Sequence, residues 1–172
     1  MNNVPVNQSE EELFPLVDIE GNVIGKATRK HCHSLTFVLH PVVHLHVFNS
    51  KGELFLQKRP EWKDIQPGKW DTAVGGHVDY GETPEVALTR EAYEEVGLNK
   101  DDYQPIFVSR YDFRSKTEYE LVNVFKCITD VSPSPSDETD GGRFFSRDEI
   151  LSLMGKDFFT PNFEEEWKNL FM

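Results

Sequence analysis

A chain of 172 residues is the length of one domain and buries about 70% of the surface its unfolded form exposes. Its 18 basic and 30 acidic residues leave a net charge of −12, which excludes general affinity for a nucleic-acid polymer and leaves a polyanionic ligand to be met by local cations or bound metal. The two cysteines, Cys32 and Cys127, stand far apart in no CxxC pattern, so they read as free thiols of a reducing compartment rather than a disulfide or zinc framework.

Residues 1–12 are polar and expected to form a flexible N-terminus, with a single domain over 13–172. The opening MNNVPVNQSEEELF lacks a charged-then-apolar leader, and no apolar run approaches the roughly 18 residues of a membrane span. The expectation is a soluble cytoplasmic protein with no membrane partner. Residues 13–26, LFPLVDIEGNVIGK, alternate around Glu20-Gly21-Asn22 and predict a strand pair. Residues 35–48 are rich in Val, Leu and Phe and run through Asn49-Ser50-Lys51-Gly52 into 53–58, a second hairpin signal. Residues 70–78 read as one strand. A helix is predicted over 84–96, with Thr83 as its N-cap, Pro84 in its first turn and Gly97 as a left-handed stop. Ala87, Leu88, Ala92, Val96 and Leu98 give it an apolar stripe. Segments 105–113 and 118–129 predict an antiparallel pair, 131–142 a polar loop and 143–146 a short strand. Helices are predicted over 148–154 and 162–171, the latter amphipathic through Phe163, Trp167, Leu170 and Phe171. This succession is an α+β pattern with a mixed sheet and no internal repeat.

Glu91, Glu94 and Glu95 stand at i, i+3 and i+4 and share one face of the 84–96 helix. Carboxylates so crowded raise one another's pKa, and a divalent cation relieves the repulsion; hard oxygen donors suit Mg2+ or Mn2+. Arg90, four residues before Glu94, is placed to orient them. On its own such a triplet reads more readily as a solvated acidic face, so the surrounding residues decide. Residues 76–98 are GHVDYGETPEVALTREAYEEVGL: Gly76, Glu82 after five residues, then after seven more the run Arg90-Glu91-Ala92-Tyr93-Glu94-Glu95-Val96-Gly97-Leu98. That is every fixed position of the Nudix box, and the chain resembles the Nudix superfamily. The resemblance implies an α/β/α sandwich around a mixed β-sheet. It implies Mg2+- or Mn2+-dependent cleavage of a small-molecule diphosphate, such as a nucleoside diphosphate derivative. By position, Glu91 and Glu95 match the main metal ligands, Glu94 the auxiliary one, and Gly76 the residue whose backbone carbonyl joins the shell. Glu94, Glu95 and Arg90 are then the expected catalytic residues, while Glu82 supports the loop. The match does not fix the catalytic base.

A second constellation lies mostly outside the box. His33 and His40 flank the entry to the 35–48 strand, and His77 follows the box glycine. Glu118 and Glu120 alternate on a strand and point to one face. With GKATRK at 25–30, LQKRP at 56–60 and PGKW at 67–70, these residues resemble the type I isopentenyl-diphosphate isomerases and the hydrolases most like them, over about residues 13–125. In those isomerases, matching positions hold one divalent metal, which implies a second metal site at His33, His40, His77, Glu118 and Glu120. Two other readings stay open: hydrogen-bonded edge histidines beside solvated glutamates, or Glu118 or Glu120 serving the helix cluster as ligand or base. His44 and His46 alternate in the same way and carry no assignment. The isomerases have a cysteine just before the box glycine; here Gly75 stands in its place. A hydrolase is therefore expected, with isomerase-type chemistry and a non-catalytic metabolite-binding module as alternatives. Arg59 and Lys69 are the expected substrate-binding cations, and a homodimer is left open.

Overall fold

The structure, a computed structural model, describes residues 12–172. Apart from Glu12, the N-terminal segment expected to be flexible lies outside the described residues. The first strand pair forms as read: β1 (Leu13–Val17) runs antiparallel to β2 (Val23–Thr28). Asp18 closes its turn, its carboxylate accepting from the Glu20 and Asn22 amides at 3.0 and 2.9 Å, while Gly21 takes a φ of 90°. A short helix follows, α1 (Arg29–Cys32), with Thr28 capping the His31 amide. The sequence reading has no helix there, because one turn is too short to show a 3.6-residue period.

The main sheet holds β3 (Leu39–Phe48), β4 (Leu54–Lys58), β5 (Trp70–Thr72), β6 (Val74–His77), β7 (Ile106–Arg114), β8 (Tyr119–Ile128) and β9 (Gly142–Phe145). Its central ladder is parallel, β3 on β8, in unbroken register from Leu39 opposite Tyr119 to Phe48 opposite Ile128. The remaining ladders are antiparallel, so the sheet is mixed. The β3–β4 hairpin is paired only at Val47–Phe55 and Phe48–Leu54 before the strands part. Into that gap runs the segment read as one strand over 70–78. It is two strands: β5 pairs with β4, β6 pairs with β3, and the chain changes partner at Ala73. Gln57 fills the break, its side-chain amide donating to the carbonyls of Thr72 and Ala73 at 3.1 and 3.0 Å.

Helix α2 (Pro84–Val96) has the predicted ends: Thr83 accepts from the Val86 amide, and Gly97 stops it at a φ of 67°. Ala87, Leu88, Ala92 and Val96 pack on Val43, Leu45 and Val47 of β3. On the other side of the sheet, α3 (Arg147–Leu153) and α4 (Pro161–Leu170) bury Ile150, Phe163 and Trp167 against Leu54, Leu56 and Phe145. Val42, Val122 and Val124 form a third cluster against Tyr111 and Leu170. The result is an α/β/α sandwich, with each fully buried Leu, Val or Phe contributing roughly 1.5–3 kcal/mol. Among the described residues, no helix is long and apolar enough to cross a membrane.

Close packing makes one glycine exacting. A Cβ on Gly142 would lie 2.7 Å from the Leu56 carbonyl oxygen and would press on the Phe55 ring. Gly142→Ala is expected to cost about 1–3 kcal/mol in urea unfolding, with the slope unchanged.

Candidate active site

The box glutamates arrive by two routes. Helix α2 aligns Glu91, Glu94 and Glu95, and β6 brings Gly75 and Gly76 against them. The Gly75 amide donates to Glu95 Oε2 at 3.0 Å. A Cβ on Gly76 would stand 2.6 Å from Glu91 Oε1, so any side chain here would displace that carboxylate. Glu94 is the exposed member of the three. Burial, reinforced by the Glu91 charge, pushes the Glu95 carboxyl up to about 8. Burial also raises Glu91, although Arg90 pulls the other way. Two partly buried carboxyls made uncomfortable by desolvation and by each other are a donor set that a divalent cation would relieve.

Arg90 ties the loop to the helix. Its guanidinium makes a fork on Glu82, at 3.0 Å from Nε and 2.8 Å from Nη2. It also donates to Glu91 Oε1 at 2.7 Å and to the His77 carbonyl at 3.1 Å. Glu82 in turn accepts from the Asp79 amide at 2.9 Å. These bonds account for Glu82: it touches Arg90 and the loop backbone and holds the box in shape.

The histidines and strand glutamates assemble as well. One donor atom each from His33, His40, His77 and Glu118 lies within 4.8 Å of the others. Glu118 Oε2 is 2.9 Å from His33 Nε2, 3.3 Å from His40 Nε2 and 3.8 Å from His77 Nε2; Glu120 Oε2 is 3.9 Å from His77 Nε2. His40 Nδ1 meets the Val38 carbonyl at 3.0 Å. A carbonyl only accepts, so Nδ1 carries a hydrogen there, and Nε2 is the nitrogen turned toward Glu118. His33 Nε2 and His77 Nε2 are 3.3 Å apart, with Phe14 stacked 4.7 Å from the His77 ring. Burial pushes the His33 and His77 imidazoles down against the pull of Glu118. Burial would lift Glu118, but the hydrogen bond from His40 and the nearby imidazoles of His77 and His33 hold it well below the usual carboxylate range. Burial and the Glu118 charge raise Glu120 to about 7. At His40 burial is outweighed by the hydrogen bond to Glu118, which raises that imidazole. Three imidazoles around an ionised carboxylate, once His40 gives up its proton, are a donor set that fits a divalent cation. Among the described residues the box glutamates form no group this tight.

A third cluster went unread in the sequence. His44 Nδ1 is 2.9 Å from Glu166 Oε1, His46 Nε2 is 2.6 Å from Oε2, and the Tyr111 hydroxyl donates to Oε1 at 2.5 Å. The signal for it was Glu166 itself, an acid inside the apolar stripe of α4 between Phe163 and Leu170. Two cavities share His44 and Asn162 as walls. One, of about 240 Å³, reaches Glu120, Tyr111 and Phe113; the other, of about 200 Å³, reaches Gly75, Glu95 and Arg59. A larger cavity of about 690 Å³ between α3 and α4 touches none of these groups. Arg59 thus lines the cleft, though its guanidinium already donates to the Ile65 carbonyl at 3.1 and 2.9 Å. Lys69 lies outside both cavities, paired with Asp157 at 2.5 Å.

Comparison with known proteins agrees with this geometry. The NUDIX domain model matches residues 38–165. An isopentenyl-diphosphate Delta-isomerase 1 of Photorhabdus laumondii is 28% identical over 92% of this chain and 94% of its own length. An isopentenyl-diphosphate Delta-isomerase of Corynebacterium diphtheriae is 32% identical over 76% of this chain and 75% of its own. Among solved structures, DR0079 of Deinococcus radiodurans superposes with a TM-score of 0.78 at 24% identity, covering 94% of this chain and 100% of its own. A MutT protein from Methanosarcina mazei gives a TM-score of 0.63, also at 24% identity, over 79% of this chain and 97% of its own. Those two likenesses concern the fold.

Proposed function

This chain belongs to the Nudix family, on the branch that resembles the type I isopentenyl-diphosphate isomerases, and on that premise we propose that it is a divalent-metal-dependent hydrolase of a small-molecule diphosphate. The observation that carries the reading is a complete acidic box set against Gly75 and Gly76, with glycine where the isomerases have their cysteine. Glu91 and Glu95, with Glu94 and the Gly76 carbonyl, would hold Mg2+ or Mn2+. Bound there, such an ion neutralises phosphate charge and lowers the pKa of the attacking water. The chain's own contribution is positional. Gly75 orients Glu95, Arg90 orients Glu91, and Arg59 offers the cleft a positive edge. His33, His40, His77, Glu118 and Glu120 would hold a second ion, one that imidazole donors suit. All these groups come from one chain, so the reading does not require a homodimer. The buried thiols of Cys32 and Cys127 suit a reducing cytoplasm.

Isomerase chemistry is the second reading, favoured by the assembled His/Glu cluster and the names of the two relatives. The thiol that such chemistry needs is missing: Cys32 is fully buried, burial pushes it up to about 11, and it lines neither cavity.

A panel of nucleoside and other organic diphosphates, assayed with Mg2+ and Mn2+ for release of phosphate or nucleotide, tests the proposal. Turnover of at least one panel member is expected, together with no deuterium uptake into isopentenyl diphosphate by NMR. Uptake without hydrolysis would reverse the two readings. His40→Ala is expected to weaken Mn2+ binding at the tighter site by roughly 10–100-fold in an electron paramagnetic resonance titration. An unchanged isotherm would remove the histidine cluster from the metal assignment.

A further inference from the structure

The buried carboxylate of Glu166 demands an explanation that the fold does not give. It sits 3% exposed in a helix stripe where an apolar residue would pack more cheaply, and a buried charge costs several kcal/mol unless fully paired. It is fully paired, by Tyr111, His44 and His46. Of the two histidines, His46 is buried completely, whereas the His44 side chain keeps 23% of its surface. A carboxylate only accepts, so His44 donates through Nδ1 and its Nε2 is left over. Among the described residues, no hydrogen bond engages that atom.

His44 also stands where two sites meet. It walls both the cavity that reaches Glu120 and the cavity that reaches Glu95. β3 pairs it with Gly75, and a Cβ on Gly75 would lie 3.8 Å from His44 Nε2. The Gly75 amide is the one bonded to Glu95. A single backbone residue therefore separates the imidazole from a box carboxylate.

We infer that His44 is a catalytic residue whose Nε2–H donates to the leaving phosphate of the bound diphosphate, and that Glu166 is its positioning residue. This rests on the hydrolase reading above. In the step, the water oxygen bonds to one phosphorus as the bridging P–O bond breaks. The electron pair passes to the bridging oxygen, which takes the proton from Nε2, and the proton lost by the attacking water returns to solvent. His44 suits the role because it is a pinned cation. Burial alone would push its imidazole down, but the Glu166 charge and hydrogen bond outweigh burial and push it up to about 9. Arg59, the neighbouring cation, is already engaged by the Ile65 carbonyl and by Asp71 at 3.8 Å.

The test uses the full chain labelled with 15N-histidine, titrated with imidodiphosphate and Mg2+ and read by NMR of the imidazole nitrogens. His44→Gln assigns the signal. The His44 Nε2 resonance is expected to move on titration, and His44→Gln to bind imidodiphosphate about tenfold more weakly at an unchanged melting temperature. Glu166→Gln, measured without ligand, is expected to move the His44 nitrogens toward the neutral imidazole. On a substrate from the panel, His44→Gln is expected to lower kcat by roughly 10–100-fold with KM within threefold. On a p-nitrophenyl phosphodiester, whose leaving group needs no proton, the loss should fall below threefold. A stationary His44 signal, no binding of imidodiphosphate, or equal loss on both substrates would overturn the inference. The hydrolase reading fails separately: wild-type protein that turns over no diphosphate, while imidodiphosphate still moves the His44 signal, sinks that reading and leaves the phosphate contact standing.

Discussion

Glu95→Gln is expected to remove about 10³-fold or more of the diphosphate turnover while making the metal-free protein harder to unfold. The two effects share one cause. Burial and the Glu91 charge hold the Glu95 carboxyl at about 8 rather than the ordinary 4.5. Above pH 4.5 the unfolded chain gives up this proton while the fold retains it. Stability therefore declines across the window from 4.5 to 8 and levels off beyond it. At pH 7 the burden is on the order of 3 kcal/mol, and a neutral amide of the same shape is free of it. Expected readings are a higher melting temperature for Glu95→Gln without metal, a flatter pH profile of stability, and no further rise when Mg2+ is added. Wild type should behave oppositely, gaining stability with Mg2+. A variant that melts lower than wild type without metal would show that Glu95 is held by structure rather than strained for binding.

Arg90 should carry the largest stability loss in the box. Its guanidinium serves Glu82 twice, Glu91 once and the His77 carbonyl once. Arg90→Leu leaves two partly buried carboxylates without their cation and frees the loop from the helix. Hydrogen bonds to charged groups contribute roughly 1.5–3 kcal/mol each and are not additive, so a total loss of about 3–5 kcal/mol is expected. For a chain of this size that is a melting-temperature drop of roughly 6–20 °C by calorimetry. Arg90→Lys should recover less than half, because an ammonium cannot span both oxygens of Glu82. Turnover should fall too, since Glu91 loses the group that aims it. Full recovery by lysine would mean that charge alone matters and the fork geometry does not.

Much of this was legible in the residues. Helix α2 was readable to its ends because Thr83, Pro84 and Gly97 mark them chemically, and β1–β2 because alternation meets a turn signal at Gly21. The His/Glu cluster was named in full, since its members came from a resemblance rather than from local pattern. The partner change at Ala73 was not readable: the carbonyls it leaves without a ladder partner are met by the Gln57 side chain, on another strand. Glu166 was hidden for a similar reason. An acid in an apolar helix stripe looks like an irregularity until β3 and β7 are seen to bring His44, His46 and Tyr111 to it. Local pattern reports what a residue prefers, and it is silent on which distant donor will meet it.

Strand β3 uses both of its faces, with Val43, Leu45 and Val47 on one side and His40, His44 and His46 on the other. Its ten-residue parallel register with β8 has no bulge to absorb an error. Inserting one residue between positions 39 and 48 would reverse the parity of everything after it, sending imidazoles into the apolar layer and valines into the cleft. The candidate binding groups on β3 therefore cannot be moved stepwise along that strand by insertion or deletion. They can change only by substitution in place, which leaves exchange at alternate positions as the route by which a related chain could acquire different chemistry on this scaffold.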